Sequence, residues 1–91
     1  MELTGLDGKT ALITGASKGI GKSIATVLAD SGVRLICCAR NEGILLQACS
    51  EIENSGGTAI AVRADVACAS DRKHLIERSI AEFGGIDFLI K

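Results

Sequence analysis

A chain of 91 residues is shorter than the ~100 to 150 residues of a common domain, so it holds material for one core and none for a second, substrate-binding domain. Its composition, 47% apolar and 23% charged with no Pro, Trp or Tyr, is that of a globular α/β unit and excludes a disordered chain. Ten Lys and Arg stand against eleven Asp and Glu for a net charge of -1, which provides no overall positive field for nucleic acid or an anionic membrane surface.

Met1 to Lys9 lacks the charged start, apolar middle and small-residue cleavage site of a signal peptide, and no apolar run approaches the ~20 residues of a membrane span. A cytoplasmic location is the expectation. Beyond that, short apolar runs alternate with longer amphipathic ones, the pattern of strand-helix-strand units on a parallel sheet. Thr10 to Thr14 is a continuous apolar run, as in a strand covered on both faces. Gly19 to Ser31 carries Ile20, Ile24, Val27 and Leu28 at helical offsets, with Gly32 as the stop. Val33 to Ala39 reads as a second strand, followed by Asn41 as a cap, a helix with Leu45, Cys49 and Ile52 on one face, and a Gly56-Gly57 stop. Thr58 to Ala64 is the third strand. Ser70 or Asp71 caps a third helix whose inner face is Leu75, Ile76, Ser79, Ile80 and Phe83, ended by Gly84-Gly85 before a last strand, Ile86 to Ile90.

Right-handed crossovers restrict four parallel strands to few arrangements. The expected fold is a Rossmann-type α/β sheet in strand order 3-2-1-4, with helices one and two on one face and helix three on the other, one mononucleotide-binding half of a doubly wound fold. In such a sheet the fourth strand is central, and nothing follows it here. Ile86, Phe88, Leu89 and Ile90 are therefore expected along an open edge, with self-association as a hazard. The four cysteines, Cys37, Cys38, Cys49 and Cys68, form no Cys-x-x-Cys pair, and His74 is the only histidine. Neither a metal set nor a redox motif can be assembled from them, and the thiols read as buried or half-buried structural groups. Cys37 and Cys38 point to opposite faces of one strand, which disfavours a bridge between them. His74 and the charged runs Asp71-Arg72-Lys73 and Glu77-Arg78 read as a solvated helix face with ordinary local pairs.

Chemistry concentrates in Thr14-Gly15-Ala16-Ser17-Lys18-Gly19-Ile20-Gly21, between the first strand and first helix. Glycines at 15, 19 and 21 allow a tight turn and close approach to an anion, while the helix start offers unpaired N–H groups and the positive end of its dipole. Its position after a buried strand and before an amphipathic helix marks it as a phosphate cradle.

With this loop the sequence resembles the short-chain dehydrogenase/reductase family, whose pattern is Thr-Gly-x-x-x-Gly-x-Gly. The likeness runs from Leu6-Asp7-Gly8-Lys9 through Asp65-Val66 to Gly85-Ile86-Asp87. It implies that Gly15, Ser17, Gly19, Ile20 and Gly21 face the pyrophosphate and ribose of a nicotinamide dinucleotide, and that Asp65 accepts from the adenine amino group with the Val66 backbone alongside. The choice of cofactor has a physical argument: a carboxylate at the end of the second strand holds a 2′-hydroxyl, whereas a 2′-phosphate needs a cation there. That strand ends Cys38-Ala39-Arg40 with no acid. Arg40 can pair with a phosphate at two points and stack on adenine, and Lys18 adds charge from the opposite wall, so NADP(H) is expected over NAD(H).

The resemblance also implies hydride transfer between nicotinamide and a carbonyl or alcohol, with a tyrosine acid/base, a lysine lowering its pKa and a serine holding the substrate oxygen. The Ser, Tyr and Lys of that active site are absent from this chain, and Lys91 stands where the family begins an Asn-Asn-Ala-Gly. Residues 1–91 are accordingly expected to be the N-terminal half of a dinucleotide-binding domain, inactive alone, ended by truncation, a partial gene or a frameshift. Two other readings exist. Ala16 to Ser23 is one residue away from the Gly-x-x-x-x-Gly-Lys-Ser loop of nucleotide triphosphatases, with Lys22 on phosphate and Ser23 on magnesium. The open fourth strand could instead serve a non-catalytic binding or assembly module.

Overall fold

A computed structural model of the chain describes residues 5–15 and 19–90, without the side chain of Ile20. Strands and helices alternate: β1 (Thr10–Thr14), α1 (Gly19–Asp30), β2 (Arg34–Ala39), α2 (Glu42–Asn54), β3 (Thr58–Arg63), α3 (Ala69–Phe83) and β4 (Phe88–Ile90). The strands form one parallel sheet in the order β3-β2-β1-β4. β1 is paired on both sides, with Ala11 beside Leu35 and beside Phe88. Among the described residues no helix is long and apolar enough to cross a membrane.

Two cores follow from the period-two alternation of the strands. Ala11, Ile13, Leu35, Cys37 and Ala59 meet Ala25 and Leu28 of α1 and Leu45, Cys49 and Ile52 of α2. On the other face Leu12, Ile36, Cys38, Val62 and Ala64 meet Leu75 of α3. The helices thus lie two on one side and one on the other, as the crossover rule requires. Each fully buried Leu or Ile contributes roughly 1.5–3 kcal/mol through removal of its side chain from water. Asn41 caps α2 by accepting from the Ile44 amide at 3.1 Å, and Gly84 closes α3 with its N–H donating to the Ile80 carbonyl.

Several boundaries differ from the sequence expectation. α1 ends at Asp30 rather than Ser31, β2 starts at Arg34 rather than Val33, and β3 stops at Arg63 rather than Ala64. β4 begins at Phe88 rather than Ile86 because Asp87 substitutes a side chain for a ladder carbonyl. Its Oδ2 accepts from the Thr10 amide at 2.8 Å, while its own amide donates to the Thr10 carbonyl at 2.8 Å. The cap of α3 is Cys68, not Ser70 or Asp71, since the Asp71 carboxylate is turned back onto the Asp65 amide. On α3 only Leu75 and Ser79 are fully inside; Ile76 and Ile80 stay 43% and 55% exposed. Ile76 fronts an apolar cleft shared with Leu12 and Leu89 beside the short β4.

The thiols divide similarly. Cys37 and Cys38 are buried on opposite faces of β2, and Cys49 is buried on the inner face of α2. Cys68 is exposed, which corrects the expectation that all four are interior. A hydrogen bond to Cys49, followed by burial, pushes the Cys37 thiol far up, and the same bond holds Cys49 down. Burial, followed by the nearby Asp71 carboxylate, raises Cys38.

At the N-terminal end of the sheet, Arg34 Nη2 donates to Thr10 Oγ1 at 3.1 Å and to the Phe83 carbonyl at 3.5 Å. Its guanidinium lies 5.0 Å from the Phe83 ring centre, so α3 is moored to β1 and β2 where it ends. Removing the Asp87 carboxylate strands the Thr10 amide in a residue only 1% exposed. Asp87→Ala is expected to lower stability to urea by about 1–3 kcal/mol, and Asp87→Asn, which keeps an acceptor, by less. Equal losses in the two variants would refute this role for the carboxylate.

Candidate functional site

All four strands run the same way, so their C-terminal ends share one edge of the sheet. There the chain leaves β1 through Gly15, whose amide continues the pairing by donating to the Cys38 carbonyl at 3.0 Å. Gly15 has φ +70° and Gly19, which opens α1, has φ +64°. A Cβ at either would touch nothing within 4 Å. Glycine is needed there for backbone direction rather than for lack of space, since the left-handed region costs other residues about 1–2 kcal/mol. Gly21 lies in the first turn of α1. Ser17 and Lys18 fall outside the described residues, as does the side chain of Ile20.

An open cleft of about 460 Å³ lies against this turn, lined among others by Thr14, Gly15, Ala39, Arg40, Asp65 and Val66. It brings four of the expected site residues, Gly15, Arg40, Asp65 and Val66, to one place from three strand ends. Arg40 is exposed just beyond β2. Asp65 stands just beyond β3, where its Oδ1 accepts from the Ala67 amide at 2.9 Å and its carbonyl from the Cys68 amide at 2.9 Å. Among the described residues Oδ2 has no hydrogen-bond partner.

Residues that the sequence reading assigned to a solvated face shape this cleft. Asp71 Oδ2 accepts from the Asp65 amide at 2.9 Å, and Arg72 Nη1 donates to the Val66 carbonyl at 2.8 Å. Adjacent residues of the first turn of α3 therefore hold both sides of the Asp65-Val66 turn. Arg63 adds a third link, pairing with Asp71 at 3.4 Å and donating from Nε to the Arg40 carbonyl at 3.3 Å. An acid at the third helical position was the available signal, because such a residue reaches back over the preceding loop. The Lys73–Glu77 and Arg78–Glu82 pairs are the local i, i+4 kind that was expected.

Lys22 does not join the cleft. It pairs with Glu51 of α2 at 2.6 Å, and Ser23 Oγ donates to the Gly19 carbonyl at 3.3 Å. The lysine and serine that a triphosphatase loop would direct at phosphate and magnesium are thus engaged elsewhere. Among the described residues no cluster of His, Cys, Asp or Glu could hold a metal ion, and His74 lies exposed on α3.

A parallel sheet with a glycine turn at the head of its first helix, and a cleft outside the carboxyl ends of its strands, defines a nucleotide-binding α/β protein. A sequence model described as short chain dehydrogenase matches residues 9–91. The chain belongs to the short-chain dehydrogenase family. It is 40% identical over 88 residues to the ketoacyl reductase HetN of Nostoc sp., covering 97% of this chain and 31% of that protein. Among solved structures, L-sorbose reductase from Gluconobacter frateurii, complexed with NADPH and L-sorbose, superposes with a TM-score of 0.90 at 35% identity, covering 93% of this chain and 33% of that one. A short-chain dehydrogenase/reductase from Burkholderia phymatum in complex with NAD gives 0.90 at 31% identity, covering 96% and 31%. The chain spans about a third of the length of these relatives.

Cys68, whose amide donates to the Asp65 carbonyl beside the cleft, is the exposed thiol. The contact with Ser70 Oγ at 3.2 Å and the backbone amides of Asp71 and Ser70 lower its thiol pKa at the head of α3. In the folded chain, iodoacetamide should label Cys68 first, with a pH profile that rises below that of a free cysteine peptide. Cys37, Cys38 and Cys49 should label only after denaturation. Mass spectrometry of timed samples checks the order, and early labelling of Cys49 would contradict the packing beneath α2.

Proposed function

We propose that this chain binds NADP(H) as residues 1–91 of the N-terminal half of a dinucleotide-binding domain. The whole protein then transfers hydride between the nicotinamide and a carbonyl or alcohol substrate. The observation that carries the reading is the cleft in which the Gly15 turn, Arg40 and Asp65 converge. The residues fit such a cofactor: the positive-φ glycines leave room for a pyrophosphate at the start of α1. Arg40, whose guanidinium has no hydrogen bond or ion pair among the described residues, supplies a cation at the end of β2. The residue directly after β2 is Arg40 rather than an acid, and the first carboxylate beyond it is Glu42, at the start of α2.

In this reading Gly15, Ser17, Gly19, Ile20 and Gly21 surround the pyrophosphate and its ribose, Arg40 with Lys18 takes the 2′-phosphate, and Asp65 with Val66 borders the adenine. The cofactor supplies the hydride; these residues bind and orient its adenosine half. The relatives in hand include one complexed with NADPH and one with NAD, so the cation at residue 40 is the argument for the phosphorylated form. The serine, tyrosine and lysine of the chemical step are not among the site residues of this chain.

A second reading concerns the free edge of β4, where Phe88 and Leu89 are 38% and 56% exposed. That edge can pair with a further strand, including one from another copy. Sedimentation of the 91-residue chain should then show association that Leu89→Lys reduces, and a monomeric wild type at all soluble concentrations would remove this reading. For the cofactor, calorimetry should show NADP(H) bound more tightly than NAD(H). Arg40→Asp should reverse the order by about 30- to 100-fold, through loss of a charge-assisted pair and gain of repulsion. An unchanged ratio would overturn the assignment.

A further inference from the structure

We propose that Arg63 is a positioning residue that sets the selectivity of the cleft for a 2′-phosphate by holding the main chain of Arg40. The inference rests on the cofactor reading above and deepens it. The last register pair between β2 and β3 is Ala39 with Arg63. Arg40 is therefore the first residue beyond the sheet, and its carbonyl is held by the Arg63 Nε at 3.3 Å.

Asp71 fixes the other end of this link. Its Oδ2 accepts from Arg63 Nη1 at 3.4 Å and from the Asp65 amide at 2.9 Å. One guanidinium thus spans the two walls of the cleft, from the residue after β2 to the turn after β3. The planar fork is what permits the span, since Nε and Nη1 donate in fixed relative directions that a lysine ammonium cannot reproduce. The carboxylate of Asp71 offsets the charge of Arg63, so Arg63 acts by geometry, through Arg40, and not as a second phosphate ligand.

The test uses two ligands that differ only in the 2′-phosphate, adenosine 2′,5′-bisphosphate and adenosine 5′-monophosphate, titrated calorimetrically into the 91-residue chain, with circular dichroism as the check on folding. Wild type is expected to prefer the bisphosphate. Because the link is half-exposed, Arg63→Met and Arg63→Lys should each reduce that preference by about three- to tenfold while leaving the monophosphate affinity within about twofold. Arg63→Lys keeps the charge and loses the fork, so a wild-type ratio in that variant overturns the positioning role. Parallel weakening of both ligands also overturns it, since that is the mark of general structural damage. If Arg63→Met does not fold, Arg63→Lys alone decides. A wild-type chain with no preference between the ligands removes the cofactor reading itself, a result distinct from a preference that the variants leave intact.

Discussion

The parallel alignment of β1 with β2, and of β2 with β3, is the constraint from which the site follows. Thr14 lies beside Cys38, and Ala39 beside Arg63. Three exits separated by some twenty-five residues in sequence thereby open on the same edge. Antiparallel pairing of any of these strands would carry one exit to the opposite end of the sheet. What holds the alignment is burial: Leu35, Ile36 and Cys37 are 0% exposed and Cys38 is 1%. A slip of one residue would move every one of these side chains into the wrong core.

Much of this was legible because it is periodic or local. The apolar run of β1, the helical spacing of Leu45, Cys49 and Ile52, the Asn41 cap and the glycine stops each fix an element through its near neighbours. The larger errors fall where a side chain's bond to the main chain outside its own element decides. β4 is short because Asp87 pairs by its side chain with Thr10, 77 residues away. α3 begins at Ala69 with Cys68 as cap because Asp71 is committed to the Asp65 amide. Ile76 and Ile80 have the spacing of an inner face, yet of that face only Leu75 and Ser79 are fully buried and Phe83 partly so, while Ile76 and Ile80 stay exposed. Periodicity reports which side of a helix is apolar, not how far the opposing surface extends.

The candidate site divides in the same way. Gly15 and Arg40 announce themselves by residue type at strand ends, where a turn and a cation are each informative, whereas Asp65 was indicated only by the family resemblance. Arg63 and Arg72 carry no such mark, and Asp71 has only its place at the third helical position. A charged residue on a helix or strand end is ordinarily a solvated one, and only the folded chain shows that these three clasp the backbone of the residues before them. Lys22 is the converse case. Its neighbourhood imitates a phosphate loop, but Glu51 on the adjacent helix claims its ammonium.

The two ends of the sheet therefore do different work. At the N-terminal end, hydrogen bonds from Arg34 to Thr10 and Phe83, and between Asp87 and Thr10, tie β4 and α3 to the centre. At the C-terminal end the backbone takes left-handed turns at Gly15 and Gly19, and among the described residues the Arg40 guanidinium and Asp65 Oδ2 have no hydrogen-bond partner. In the proposed cofactor reading this edge keeps donors unspent, and unspent donors contribute nothing to folding. Interactions at the far end, together with the two cores, have to make up that difference. Arg63 and Asp71 link the two walls of the cleft, bonding to each other and to the main chain of Arg40 and Asp65.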